Sequence, residues 1–343
     1  MPVDFHFHLE EGPYNAKWLE KTMHSLVIMT DNFQLDSKKV SMERGIQLLQ
    51  LRMTEGAYSE FWFDLYLKRA KQLGLKQVGV VDHLYRFKET RNYFLEHLDV
   101  NESSELGQVQ KNWLDQVMTE NMEAFVAFVE SQKKKWKQHG IELKLGIECD
   151  YFEGGEQELQ SWISKNDWDF VIGSIHYVDG WGFDNPKLQR RFELYDLKEL
   201  YTRFFQSVIA MIKSNLFDFV AHLDNLKVFN YQIDDEEFMH EWYLKIANAL
   251  KEHNLATEIN AGLKYRYPVK EECPSPTFLH YLVDSNVPIT LSSDAHFPQD
   301  LGMYVNESAE QLKQLGVHRV ATFTKRQRTM FVIKESLCEK LDL

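Results

Sequence analysis

The sequence predicts an α/β protein built as a seven-stranded parallel (β/α) barrel, and three observations carry that prediction. Seven short runs of apolar residues alternate with helical stretches along the chain, the pattern of parallel strands joined by right-handed crossovers. Most of these runs end in His, Asp or Glu, and a parallel barrel gathers side chains from different strands at the C-terminal ends of those strands. The length, 343 residues, suits one such barrel with excursions.

The first run is Val3-Asp4-Phe5-His6-Phe7-His8, whose period of two places Asp4, His6 and His8 on one face and Val3, Phe5 and Phe7 on the other. After the polar turn Glu10-Glu11-Gly12-Pro13, residues 14–30 read as a helix through Trp18, Leu19, Met23 and Leu26. Residues 31–58 lack a strand signal and read as an inserted, partly helical excursion. The stripe Phe61, Leu65, Leu67, Ala70 and Leu73 stops at Gly74 and leads into the second strand, 77–81, followed by Asp82-His83.

Residues 84–118 are mixed and polar and read as a second insertion over one end of the core. A helix over 121–139 follows, with Lys133-Lys134-Lys135 as its solvated end. The remaining strands are read at 143–148, 170–176, 217–222, 256–260 and 288–296, separated by helices at 197–215, 236–252 and 278–284. One more helix, 306–315, precedes a weaker strand, 319–323, whose place in the sheet the sequence leaves open. No fixed-period repeat and no linker divides the chain, so residues 1–343 are expected to form one domain.

A formal charge of −13 argues against a general nucleic-acid or anionic-membrane binder, either of which needs a basic footprint. Cys149, Cys273 and Cys338 are too scattered for a disulfide framework or a thiolate zinc site. With no signal peptide and no apolar run of membrane-spanning length, a soluble cytoplasmic protein is expected.

The 13 histidines provide an internal control. His6, His8, His83, His176, His222 and His296 sit at strand ends, whereas the other seven fall on helices, loops or a strand entry. Six imidazoles together with Glu148 and Asp294 could not be buried cheaply without compensation, and divalent metal coordination supplies it. Eight N/O ligands exceed the usual complement of one ion, so two or three ions are expected, with Glu148 suited to bridge two of them. Such a cluster acidifies water and neutralises phosphoryl oxygens, which points to a hydrolase.

These residues resemble the PHP (polymerase and histidinol phosphatase) superfamily, and in particular its histidinol-phosphate phosphatases. The resemblance rests on His6-Phe7-His8, Val81-Asp82-His83, Gly146-Ile147-Glu148-Cys149-Asp150-Tyr151, Gly173-Ser174-Ile175-His176, Ala221-His222-Leu223-Asp224, Glu258-Ile259-Asn260-Ala261-Gly262 and Ser293-Asp294-Ala295-His296, in that order. It implies a distorted seven-stranded barrel carrying a trinuclear centre of zinc, manganese or iron. In the implied ligand set, His6, His8, Glu148 and Asp294 hold one ion; Glu148, His176 and His222 a second; His83 and His296 a third. The family's further His after the first pair is missing, and Glu11, or failing that Glu10, is the expected oxygen ligand in its place.

The implied activity is hydrolysis of L-histidinol phosphate, in histidine biosynthesis, by in-line attack of a metal-bridging hydroxide, with Glu148, His222 and Asp294 as catalytic residues. Lys227, Lys264 and Arg266 are candidates to meet the phosphate, and Tyr177 and Trp181 to wall the substrate or simply to pack a loop over the barrel mouth. Alternatives are a phosphoesterase of the same superfamily acting on another small phosphate or a nucleotide, a metal-dependent amidohydrolase, and a non-catalytic metal-binding or ligand-sensing barrel.

Overall fold

The computed structural model describes residues 3–30 and 39–333. The start of the first expected insertion, 31–38, and Cys338 therefore lie outside the described residues. Eleven strands follow one another among them: β1 (Val3–His8), β2 (Gln77–Val81), β3 (Glu142–Asp150), β4 (Phe170–Ser174), β5 (Tyr177–Val178), β6 (Trp181–Gly182), β7 (Phe219–Val220), β8 (Ala256–Asn260), β9 (Ile289–Ser292), β10 (Arg319–Thr324) and β11 (Gln327–Val332).

Seven of them form one sheet in the order β1-β2-β3-β4-β7-β8-β9, parallel at every pairing. The sheet curls until its edges meet: Phe7 bridges Ala295 in parallel, the His8 N–H donates to the Ala295 carbonyl (2.7 Å), and the Asp294 N–H donates to the His6 carbonyl (2.8 Å). Closure thus brings the end of the last barrel strand against the end of the first.

Helices start where polar side chains replace missing backbone partners. Asn15, Ser59, Asp196, Asp235 and Ser275 each accept a hydrogen bond from the backbone N–H three residues on, opening the helices Ala16–Met29, Glu60–Leu73, Leu197–Lys213, Glu236–Glu252 and Pro276–Asp284. Gly74 ends the second of these with φ +65°, a left-handed turn that glycine adopts without a Cβ penalty.

The barrel interior away from the strand ends is aromatic. Phe5, Phe170 and Phe219 converge with Phe323 of β10, whose ring lies 5.8, 6.3 and 5.3 Å from theirs. The last expected strand is therefore half of an antiparallel β10–β11 hairpin that plugs the barrel instead of joining its sheet. Room for the Phe170 ring comes from two glycines: a Cβ on Gly79 or Gly146 would stand 2.6 or 2.3 Å from it.

Strict alternation in β1 fails for a local reason. Its register against β2 shifts between Asp4 and Phe7. Phe5 consequently packs with Phe170, while Phe7 stacks on Tyr66 of helix Glu60–Leu73 at 5.2 Å. Asp4 leaves the histidines and accepts from the Ser293 N–H (3.0 Å), the Ser293 Oγ–H (2.5 Å) and the Gly302 N–H (2.9 Å).

The described parts of both excursions are helical. Lys39–Glu55 is a helix, and residues 84–118 contain the helices Arg91–His97 and Glu105–Val117, which bury Tyr93, Phe94, Leu106, Leu114 and Val117. No helix among the described residues is long and apolar enough to cross a membrane.

Candidate metal centre

Four barrel strands deliver their functional residue two positions after the last paired one: His83 beyond Val81, His176 beyond Ser174, His222 beyond Val220 and Asp294 beyond Ser292. His6 and His8 end β1, Glu148 lies near the end of β3, and His296 follows Asp294 by two. His222 and Asp294 have φ of +28° and +53°, unfavourable for residues with a Cβ. Both are held by their backbone N–H groups, His222 donating to Glu258 Oε1 (3.2 Å) and Asp294 to the His6 carbonyl (2.8 Å).

The side chains meet around Glu148. Its Oε2 lies 3.2 Å from His6 Nε2, 3.3 Å from His8 Nε2 and 2.9 Å from His83 Nδ1. Its Oε1 lies 3.2 Å from His222 Nε2 and 3.6 Å from His176 Nε2. Asp294 Oδ1 completes the first group at 3.9 Å from His6 Nε2 and 3.6 Å from His8 Nε2. On the far side His296, His8, His83 and Tyr85 stack successively, with ring centroids 4.4, 4.1 and 4.4 Å apart.

Glu11 reaches this stack, its Oε2 standing 3.2 Å from His296 Nε2. Glu10 does not: its carboxylate accepts from Arg52 Nη2 at 2.6 Å, with both side chains buried. Of the two turn carboxylates, only Glu11 faces the centre.

A divalent cation fits the donor set. Among the described residues, three groups of His and carboxylate ligand atoms lie within 4.8 Å of one another: His6, His8 and Glu148; His83, Glu148 and His176; His8, His83 and His296. His8 Nδ1 and His83 Nε2 are buried without hydrogen-bond partners, although such groups are costly to leave unmatched, while His83 Nδ1 and His296 Nε2 face only the carboxylates of Glu148 and Glu11. His6 and His8 bring Nε2 atoms to 3.0 Å, and His176 and His222 to 3.1 Å, so each pair aims two nitrogens at one point.

The charges are mutually dependent. Burial works to raise the Glu148 carboxyl, but His83, His6 and the hydrogen bond from His222 outweigh it and hold the group well below the carboxylate range. Burial opposes protonation of His6, yet Glu258, Glu148 and Asp294 raise it well above the usual imidazole value. Burial and the neighbouring His83 push His8 down to about 3. At Asp294 burial is overcome by Arg266, His6 and His8, so the group stays ionised.

Two buried carboxylates that sequence reasoning left off the site orient its histidines. Glu258 lies 3.1 Å from His6 Nδ1, and Asp150 lies 2.7 Å from His176 Nδ1. Each leaves the ring's Nε2 facing the centre, which is how outer carboxylates fix ligand geometry. The available signal was their place at the ends of the third and sixth barrel strands.

The candidate phosphate ligands separate clearly. Arg266 donates to Asp294 Oδ2 at 2.6 Å and has Nη1 2.9 Å from His296 Nδ1, so it touches the cluster. Lys227 is corrected: its buried ammonium donates to Asp224 (2.9 Å), to the Glu272 carbonyl (2.7 Å) and to Glu271, leaving no proton for a phosphate. Lys264 donates to Glu272 at 3.1 Å and lies over the Tyr304 ring. Trp181 is fully buried, stacked on Tyr195 and edge-on to Phe192, so it packs its loop and does not wall an open pocket. Tyr177 is buried against Phe152.

Comparison with known proteins places this geometry. The PHP domain family model matches residues 58–262, more than half of the chain. A Deinococcus radiodurans protein named "Probable histidinol-phosphatase" is 29% identical over 218 residues, covering 63% of this chain and 81% of its own. The histidinol-phosphatase of Lactococcus lactis is 25% identical over 190 residues, 54% of this chain and 69% of its own. A crystal structure of the L. lactis histidinol phosphate phosphatase, complexed with zinc, L-histidinol and phosphate, shares the fold with a TM-score of 0.59 at 16% identity, covering 95% of this chain and 98% of that one. By the extent of the family match, borne by a parallel barrel with its histidines at the strand ends, the chain belongs to the PHP domain family.

Proposed function

We propose that the protein is a metal-dependent phosphomonoesterase that hydrolyses L-histidinol phosphate to L-histidinol and phosphate. The observation that carries this reading is the division of Glu148, whose Oε2 faces His6, His8 and His83 at 3.2, 3.3 and 2.9 Å while its Oε1 faces His222 and His176 at 3.2 and 3.6 Å. Ions held on both sides of this carboxylate would supply the paired Lewis acidity that an in-line displacement at phosphorus uses. The names of the relatives support the substrate.

His6, His8, Glu148 and Asp294 would hold one divalent ion, and Glu148, His176 and His222 a second. His83, His296 and Glu11 would hold a third, with Glu11 as its oxygen ligand. Zinc, manganese or iron bound there would supply the Lewis acidity that acidifies water and neutralises phosphoryl charge. Glu258 and Asp150 keep His6 and His176 turned toward the centre. Asp294, held ionised by Arg266, serves as ligand and proton acceptor rather than as an acid. Arg266 brings the one candidate cation that touches the cluster within reach of a phosphoryl oxygen. Water attacks phosphorus directly, its oxygen forming the new bond to phosphorus as the ester P–O bond breaks and a proton passes to the leaving alkoxide, so no covalent phosphoenzyme is needed. With Cys149 and Cys273 free thiols, we place the enzyme in the cytoplasm.

The test is turnover of L-histidinol phosphate against a panel of phosphomonoesters, phosphodiesters and amides by metal-replete protein. Asp294→Ala and His176→Ala should each lose about 100-fold or more of the phosphatase activity with the circular dichroism spectrum unchanged. Near-normal turnover in both variants, or preference for amides, would reject the proposal.

A further inference from the structure

The hairpin after β4 performs a task the ligand set does not use. β5 and β6 pair antiparallel, Tyr177 with Gly182, so the chain turns back and the Phe183 N–H donates to the His176 carbonyl at 3.2 Å. This return sets Asp184 beside His176, although eight positions separate them in the sequence. The Asp184 side chain is half-buried and makes no hydrogen bond or ion pair with any described residue. Its oxygens are not sealed from solvent, so a cationic ligand can reach them.

We propose that Asp184 forms a cation subsite beside the metal centre and selects phosphate monoesters whose leaving group carries an amine. The inference rests on the phosphatase reading above and deepens it. L-Histidinol phosphate has its phosphate at one end and a protonated amine a few bonds away, so a substrate held at the metals needs a negative partner nearby.

The surroundings leave that role open. Burial raises the Asp184 carboxyl; His176 and His222 lower it, and Glu11 and Asp150 raise it further. None of these influences comes from a lysine or arginine, and the two imidazoles already serve the centre. Tyr177 and Tyr267 feel the same negative charge. A desolvated carboxylate gains more from an incoming cation than a solvated one does, and a neutral leaving group leaves it unpaired. Asp184 therefore acts on specificity, as a binding residue and not as a proton carrier.

The test is steady-state kinetics of the metal-loaded Asp184→Asn and Asp184→Glu proteins on L-histidinol phosphate and on phenyl phosphate, with bound metal measured for each. The ratio of kcat/KM values, histidinol phosphate over phenyl phosphate, should fall about 10- to 100-fold in Asp184→Asn, chiefly through KM, and recover in part in Asp184→Glu. An unchanged ratio, whether both activities fall together or neither falls, overturns the inference. Wild-type protein inactive on L-histidinol phosphate but active on other phosphate esters overturns the proposed substrate instead. Phosphoethanolamine against ethyl phosphate then decides the role of Asp184 by the same ratio. Failure to turn over any phosphate ester removes both.

Discussion

Asp150 shows how much of the centre depends on residues that would touch no ion. Its Oδ1 stands 2.7 Å from His176 Nδ1, and together with Glu148 it raises the ring to about 10 against the opposing effect of burial. Asp150→Asn keeps the size of the side chain but removes the charge that fixes the ring. Metal affinity should fall about 10- to 100-fold. Competition with a chelator of known affinity measures this, and wild-type affinity in the variant would contradict it. At this scale the sequence was informative where chemistry sits at a strand end, as for His6, Glu148 or Asp294. It was silent where the answer depended on a distant partner. Lys227 lies five residues after His222, a promising spacing, yet Glu271 and Glu272, 44 and 45 residues further on, fold back over it.

Strands and helices were legible in proportion to their burial pattern. The sixth barrel strand was read at its observed limits, 256–260, because its apolar positions are uniformly buried and a helix and a turn frame it. The fifth shrank from 217–222 to Phe219–Val220, although Asp218 and Ala221 still donate their N–H groups to Val171 and Gly173 of β4, and His222 gives its own to the Glu258 carboxylate. Short pieces with little periodicity, the β5–β6 hairpin among them, left no sequence signal. Inserted elements carry part of the architecture as well. Arg52 on helix Lys39–Glu55 donates to Glu10 at 2.6 Å and lies 4.6 Å from the Trp62 ring centroid, anchoring the turn from which Glu11 faces His296. Removing one member of a buried ion pair strands the other charge. Arg52→Met should therefore cost about 3–5 kcal/mol, whereas Arg52→Met with Glu10→Met should restore most of that loss. Denaturant unfolding of the two single variants and the double variant gives the coupling, and strictly additive losses would show that the pair is not the source.

On the scale of the whole molecule, the centre is a product of closure. Its ligands come from positions 6 to 296, and the β9 return to β1 is what brings Asp294 and His296 to the histidines of the first strand. Alternating elements made the parallel barrel readable, whereas the placement of the β10–β11 hairpin was not, because nothing local says that Phe323 belongs with Phe5, Phe170 and Phe219. The same separation has a thermodynamic consequence. An unfolded chain cannot assemble ligands spread over nearly 300 positions, so ions held by this centre would bind the folded state selectively and stabilise it by mass action. At free metal about 100 times the dissociation constant, each ion contributes about 2.7 kcal/mol. The aromatic core and the backbone bonds that close the barrel contain no metal ligand side chain, so the stripped protein should remain folded. Removal of metal with a chelator should lower Tm by roughly 10 °C for two ions while leaving far-ultraviolet circular dichroism intact, and added Zn²⁺ or Mn²⁺ should restore Tm. The same Tm with and without chelator, on protein shown by elemental analysis to have lost its metal, would mean that closure of the barrel and assembly of the ion site are not linked.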